Sequence, residues 1–211
     1  MIKKILIRLG VKNLIGLLKI SKNLQSEGWH LSLKKNSALD SNGDELPWYT
    51  YPFIHFLKQR LNKDLVVFEY GSGNSTIWYS KRVKQVVSVE HNVEWFNKIK
   101  SRVSNSSNVD YIFKNLGSGE YQNEILNYNN AFHIVVIDGL QRVQCSLNTL
   151  GALKEDGVII WDNSDRSEYE EGYNFLLSQG FKRIDFWGIG PLNYYSWSTS
   201  VFYKDGNCLN I

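Results

Sequence analysis

Residues Asp64–Glu90 read DLVVFEYGSGNSTIWYSKRVKQVVSVE, and the fold is read outward from them. Leu65–Tyr70 is a β-branched and aromatic run of strand length that stops at Gly71-Ser72-Gly73. Gly71 permits a tight turn, and Gly73 lets the backbone approach a ligand with no Cβ in the way. Ser75–Lys84 then reads as a helix, whose first N–H groups lack intrahelical partners. Val86–Val89 is a second strand, closed by Glu90. Strand, glycine turn, helix, strand and acid in this order predict a parallel βαβ unit that presents ligand groups at the carboxyl ends of its strands.

The alternation continues on the C-terminal side. Apolar runs at Val109–Phe113, Phe132–Ile137 and Val158–Trp161 are separated by helical patterns over Val93–Val103, Glu120–Tyr128 and Val143–Lys154, with a further helix over Glu168–Gln179. Unbroken apolar strands interleaved with helices indicate parallel strands covered on both faces. Phe181–Phe186 and Trp197–Tyr203, around Gly188, Gly190 and Pro191, read as an antiparallel pair at one edge. Before the glycine turn, Trp48–Leu61 is a helix that a pocket or a core explains equally well. Residues 26–47 are polar and read as a surface connection. The prediction is a Rossmann-like α/β domain over residues 48–211, preceded by an N-terminal helical and loop extension over residues 1–47.

Composition narrows the function classes. The chain has 211 residues with 43% hydrophobic and 21% charged, ordinary for a globular domain that needs no staples. Cys145 and Cys208 are too few for a disulfide framework or a self-contained zinc site, which points to a reducing, cytoplasmic setting. A net charge of +3 without long basic runs argues against a nucleic-acid partner. His30, His55, His91 and His133 form no metal-type pair at helical spacing.

Glu90 lies about twenty residues beyond the start of the glycine turn, where an acid accepts both hydroxyls of a ribose. A dinucleotide site would want a third small residue where Thr76 stands and a second domain for its substrate. Glu69-x-Gly71-x-Gly73-x-Ser75, with Glu90 closing the next strand, resembles the cofactor motif of the class I S-adenosylmethionine-dependent methyltransferases. The resemblance runs from about Trp48 to the end of the chain. It implies a seven-stranded, mostly parallel sheet with the last strand inserted antiparallel. It also implies S-adenosylmethionine as cofactor, with Glu69 at its methionine amino end and Gly71 and Gly73 packed close against it. Glu90 would hold the ribose hydroxyls with His91 beside the adenine, and Ser72 and Ser75 belong to the same loop. More narrowly, VFEYGSGNST, SVEH and SVFYKDGNCLNI resemble a group of bacterial methyltransferase-like proteins often associated with surface-sugar biosynthesis. The implied acceptor is a small molecule or a glycan hydroxyl.

Asp138-Gly139 and Asp162-Asn163 end the fourth and fifth strands and should emerge beside that cofactor. Two carboxylates and an amide oxygen suit Mg²⁺. The pattern is similar to that of metal-dependent O-methyltransferases, which implies Asp138, Asp162 and Asn163 as ligands of an ion that lowers the acceptor's pKa. Those enzymes place a lysine soon after the first aspartate; here Arg142 stands, a donor that orients but does not abstract a proton. Asp138 and Arg142 are the candidate catalytic residues. The competing reading is a turn at Asp162-Asn163, with Asp138 meeting cofactor or substrate alone.

Residues 1–24, MIKKILIRLGVKNLIGLLKISKNL, are basic and apolar, with two helical faces that change near Gly10. Two readings stand: an anchor making peripheral contact with a membrane surface or a partner, or helices docked on the domain's own core. Under the first reading a non-catalytic, cofactor-binding scaffold is the alternative to an enzyme.

Overall fold

The computed structural model describes residues 10–211. Seven strands form one sheet: β1 (Val66–Tyr70), β2 (Gln85–Glu90), β3 (Val109–Phe113), β4 (Phe132–Ile137), β5 (Leu153–Asp162), β6 (Lys182–Gly188) and β7 (Trp197–Tyr203). Their order is β3-β2-β1-β4-β5-β7-β6. The first five run parallel, and β7 is inserted antiparallel between β5 and β6. Strand order reverses between β1 and β4, so a crevice opens beyond their carboxyl ends.

The apolar runs are continuous because both faces of the sheet are buried. Val67, Val86, Ile134, Val136, Val158, Ile160 and Val201 pack into one core with Phe53, Ile54, Leu57, Trp78 and Tyr79. Their sequence neighbours Phe68, Val87, Val135, Ile137, Ile159, Trp161 and Phe202 pack into the other with Tyr121, Ile125, Cys145, Tyr173 and Leu176. Period-two alternation sends successive side chains to opposite layers.

In chain order the helices are α1 (Val11–Ser26), α2 (Trp29–Lys35), α3 (Tyr51–Lys58), α4 (Asn74–Ser80), α5 (Val93–Val103), α6 (Glu120–Asn123), α7 (Arg142–Asn148) and α8 (Glu170–Ser178). Helix α3 contributes Phe53, Ile54 and Leu57 to the first core, and Tyr49 just ahead of it is also fully buried, so these aromatics are core and not pocket wall.

Beyond shifts of a few residues at element ends, the fold departs from the sequence reading most at α7, at residues 26–47 and at α1. The helix expected over Val143–Lys154 ends at Asn148, and Leu153 and Lys154 already belong to β5, pairing Leu153 with Phe132. Residues 26–47 are more than a surface connection: they contain α2, a bridge between Leu39 and Glu45, and buried Ser32, Ala38 and Leu46. Finally, α1 is not docked on the core. Its Leu14, Ile15, Leu17, Leu18 and Ile20 are 49–63% exposed. The first of the two predicted N-terminal helices lies outside the described residues.

Candidate functional site

A cleft of about 570 Å³ opens at the switch point, lined by Gly71, Ser72, Glu90, His91, Asn92, Glu94, Trp95, Lys98, Asp138 and Gly139. Its volume suits a ligand of nucleoside size or larger. The turns after β1 and β4 meet at its floor. Gly71 has φ +87°, and a Cβ there would lie 2.9 Å from the Asp138 carbonyl oxygen. A Cβ on Gly139 would come within 1.9 Å of the Tyr121 hydroxyl. Gly71 is therefore required by its left-handed φ and close backbone approach, and Gly139 by the buried Tyr121 ring against it. At Gly73 a Cβ would meet Trp95 Cζ2 at 3.6 Å, an ordinary contact.

Glu90 is 3% exposed and held rigidly at the rim. Its Oε1 accepts from the His91 and Asn92 amides at 2.9 and 2.8 Å, and its Oε2 accepts from Ser72 Oγ at 2.8 Å. A carboxylate has about four acceptor positions, so acceptor capacity remains toward the cleft. Ser72 Oγ also lies 2.7 Å from the Tyr111 hydroxyl. Asn92 caps α5 by accepting from the Trp95 amide at 2.9 Å. Trp95 in turn donates from Nε1 to the Ser72 carbonyl at 2.8 Å, with Lys98 Nζ 4.5 Å from its ring centre. One wall is thus a tryptophan and a cation that the sequence reading passed over. The available signal was position: Trp95 sits in the first turn of the helix that follows the acid, facing the glycine turn. Tyr121 is distant in sequence and carried no such signal.

Among the described residues one lining atom of this cleft, His91 Nδ1, is buried without a hydrogen-bond partner; the Tyr121 hydroxyl, also without one, is enclosed beside Gly139 and does not line the cleft. The His91 nitrogen is 3.3 Å from Glu90 Oε1, near enough for ion pairing but not aligned for a hydrogen bond. Such an orphan at a cleft marks a place for a ligand's polar group.

Glu69, Ser75 and Gly73 do not line the cleft as the motif implied. Glu69 shares a sheet face with Val67, under α4. There its Oε2 accepts from Thr76 Oγ1 at 2.5 Å and Ser88 Oγ at 2.9 Å. Burial pushes its carboxyl up to about 7 against the hydroxyl bonds. It is an internal peg joining β1, β2 and α4. Ser75 is buried beside it, and the Gly73 amide donates to Thr76 Oγ1 at 3.1 Å.

Asp138 lines the cleft, whereas Arg142 lies behind it, 8% exposed. Arg142 Nε donates to the Gly139 carbonyl at 2.8 Å and Nη2 to Asp138 Oδ1 at 3.1 Å, while Nη1 donates to the Asp162 carbonyl. It is a positioning residue that fastens the turn after β4 to the end of β5. Burial raises the carboxyls of both Asp138 and Asp162, and their proximity to each other raises Asp162 further.

The three residues expected to bind Mg²⁺ do not fit an ion. Asp162 is 3% exposed, and its Oδ1 accepts from Trp197 Nε1 at 2.9 Å and Thr199 Oγ1 at 2.5 Å, both on β7. The Arg142 guanidinium already bridges Asp138 and the Asp162 backbone, so positive charge stands between the expected ligands. Asn163 adopts φ +51° and makes the turn after β5, the conformation Asn tolerates best after Gly. Among the described residues no group of three His, Cys, Asp or Glu side chains gathers for a metal.

The sheet order, the antiparallel β7 and the acid-rimmed crevice define the Rossmann-like class I methyltransferase fold. Similar solved structures bear this out. A precorrin-6y C5,15-methyltransferase from Geobacter metallireducens superposes with a TM-score of 0.57 at 18% identity, over 72% of this chain and 88% of that one. TYW2 from M. jannaschii, solved with AdoMet, gives 0.51 at 18% identity over 78% and 79%. Spermidine synthase from Thermotoga maritima gives 0.53 at 18% identity over 77% and 59%. No protein-family model and no curated protein matches the sequence. At such identities the likeness is one of fold, and fold alone does not select a reaction.

Proposed function

We propose that the protein transfers a methyl group from S-adenosylmethionine to a hydroxyl of a small molecule or sugar. The observation that carries this reading is Glu90. It is a buried carboxylate oriented by two backbone amides at the rim of a cleft of cofactor size, directly across the turn from Gly71. A ribose would take its hydrogen bonds on Glu90, with Ser72 Oγ giving way toward Tyr111. His91 Nδ1 supplies a polar partner for the nucleoside, and Trp95 supplies a flat wall. The cofactor brings an electrophilic methyl group; the chain's task is to align the acceptor and remove its proton. Asp138 lines the cleft at the turn after β4, and its raised pKa suits it to accept that proton. Arg142 holds it in place.

The β6–β7 loop borders the same edge, since Gly188 pairs with Trp197 there. Its Tyr194 and Tyr195 are exposed, as is Trp48, which donates from Nε1 to Asn193 Oδ1 at 2.9 Å. These ring faces favour a sugar or aromatic acceptor over a charged polymer.

Calorimetric titration with S-adenosylhomocysteine tests the reading. The expected result is saturable binding that EDTA leaves unchanged and that Glu90→Ala weakens by about tenfold or more, the loss of a charged hydrogen-bond pair. Absence of binding to the wild-type chain would remove the reading.

A further inference from the structure

Leu14, Ile15, Leu17, Leu18 and Ile20 of helix α1 are exposed and uncovered among the described residues, and we propose that the helix docks on an anionic membrane surface. Nine large aliphatic side chains among the described residues are exposed, and five of them, Leu14, Ile15, Leu17, Leu18 and Ile20, fall within seven consecutive positions of α1. The others, Val93, Leu126, Leu140 and Leu177, are scattered singly, as on any soluble surface. A concentrated patch of this kind marks an interaction surface. At helical spacing Leu17, Leu14, Leu18 and Ile15 share one broad arc. Exposed Lys19 borders that arc, and exposed Lys22 lies one turn beyond Leu18, where its stem can lie along apolar surface with its charge at the headgroups.

The helix meets the body near its C-terminal end, where Ser21 Oγ lies 3.3 Å from His30 Nε2 and Ser21 and Leu24 are half-buried. Its earlier turns stand away from the domain. Through α2 it is tied to the β6–β7 loop: Trp29 donates from Nε1 to the Asn193 carbonyl at 2.9 Å and packs edge-on against Tyr194.

Charge identifies the occupant. Residues 1–26 contain Lys3, Lys4, Arg8, Lys12, Lys19 and Lys22 and no acid. Of the 24 basic and 21 acidic residues, this leaves 18 and 21 for the rest of the chain, a net charge of −3. The positive balance of the whole protein therefore resides in this one segment, and the body alone would be repelled by anionic lipid. Apolar side chains bordered by cations with no acid suit a helix lying in the headgroup layer of such a membrane. A second copy of the same segment would bring six like charges against six, which opposes self-association through this face. Among the described residues no helix is long and apolar enough to cross a membrane, so the contact is with the surface.

The test is co-sedimentation of the full chain with phosphatidylcholine vesicles, with and without roughly one-third phosphatidylglycerol. Anionic vesicles should retain the protein, neutral ones should release it, and added salt should weaken retention. Lys19→Glu with Lys22→Glu should weaken binding by about thirtyfold or more. Leu14→Asp with Leu18→Asp should weaken it by about a hundredfold or more. Both pairs are exposed, and an unchanged thermal midpoint verifies that each variant is folded. Failure of the wild-type chain to bind anionic vesicles, or undiminished binding of the leucine variant, would overturn the proposal. So would a wild-type dimer that ignores vesicles and becomes monomeric in the leucine variant, which would assign the face to a second copy.

Discussion

Glu69 and Glu90 end neighbouring strands of one sheet, yet their surroundings give them opposite roles. Glu69 is closed in by Thr76 and Ser88, and burial raises its carboxyl from 4.5 to about 7. The folded state then holds this proton more tightly than the unfolded chain. The associated stability is present below the unfolded value and is lost as pH rises toward 7. Asp138 and Asp162, also raised, contribute with the same sign. Glu69→Gln should therefore make the fall in unfolding free energy between about pH 5 and 8 shallower by roughly 3 kcal/mol, measured by urea denaturation across that range. An unchanged slope would mean that Glu69 is solvated. Gly139→Ala makes a separate residue-scale test. Its Cβ would fall 1.9 Å from the hydroxyl of fully buried Tyr121. A loss of about 1–3 kcal/mol is expected from the forced repacking, together with weaker ligand binding.

At the scale of elements, Arg142 joins two strand ends that backbone pairing leaves open. It is the first residue of α7, and its three donor nitrogens reach the Gly139 carbonyl, the Asp138 carboxylate and the Asp162 carbonyl. Arg142→Met removes all three donors from a buried polar cluster and should cost about 3–5 kcal/mol in denaturant unfolding. Arg142→Lys keeps a charge but cannot reach all three acceptors, and should fall between the two. Equal stability of methionine variant and wild type would refute the clamp. Most elements were legible because periodicity is local. Val93–Val103, Val109–Phe113, Phe132–Ile137 and Trp197–Tyr203 have the predicted bounds. The end of α7 was not legible. Leu147, Leu150 and Leu153 keep a helical spacing past the point where pairing of Leu153 with Phe132 draws the chain into β5. Tertiary pairing overrode a local pattern there.

For the whole molecule, stability resides in the two layers that sandwich the sheet, and α1 contributes to neither. A chain beginning at Glu27 should keep its thermal midpoint within about 2 °C, by scanning calorimetry, because the described side chains of α1 are largely exposed. A large fall in the midpoint would show that α1 is part of the core after all. Local patterns along the chain set the parallel α/β sheet, the position of its crevice and the acid at its rim. Strand runs, a glycine turn and the spacing to Glu90 are all properties of adjacent residues. Three matters depended on tertiary contacts: Glu69 faces α4 and not the cleft, a guanidinium bridges the expected metal ligands, and Leu14, Leu17 and Leu18 of α1 face outward. Each depends on what a side chain meets across the fold, and alternation along a strand or helix names the face a residue takes without naming the partner waiting there.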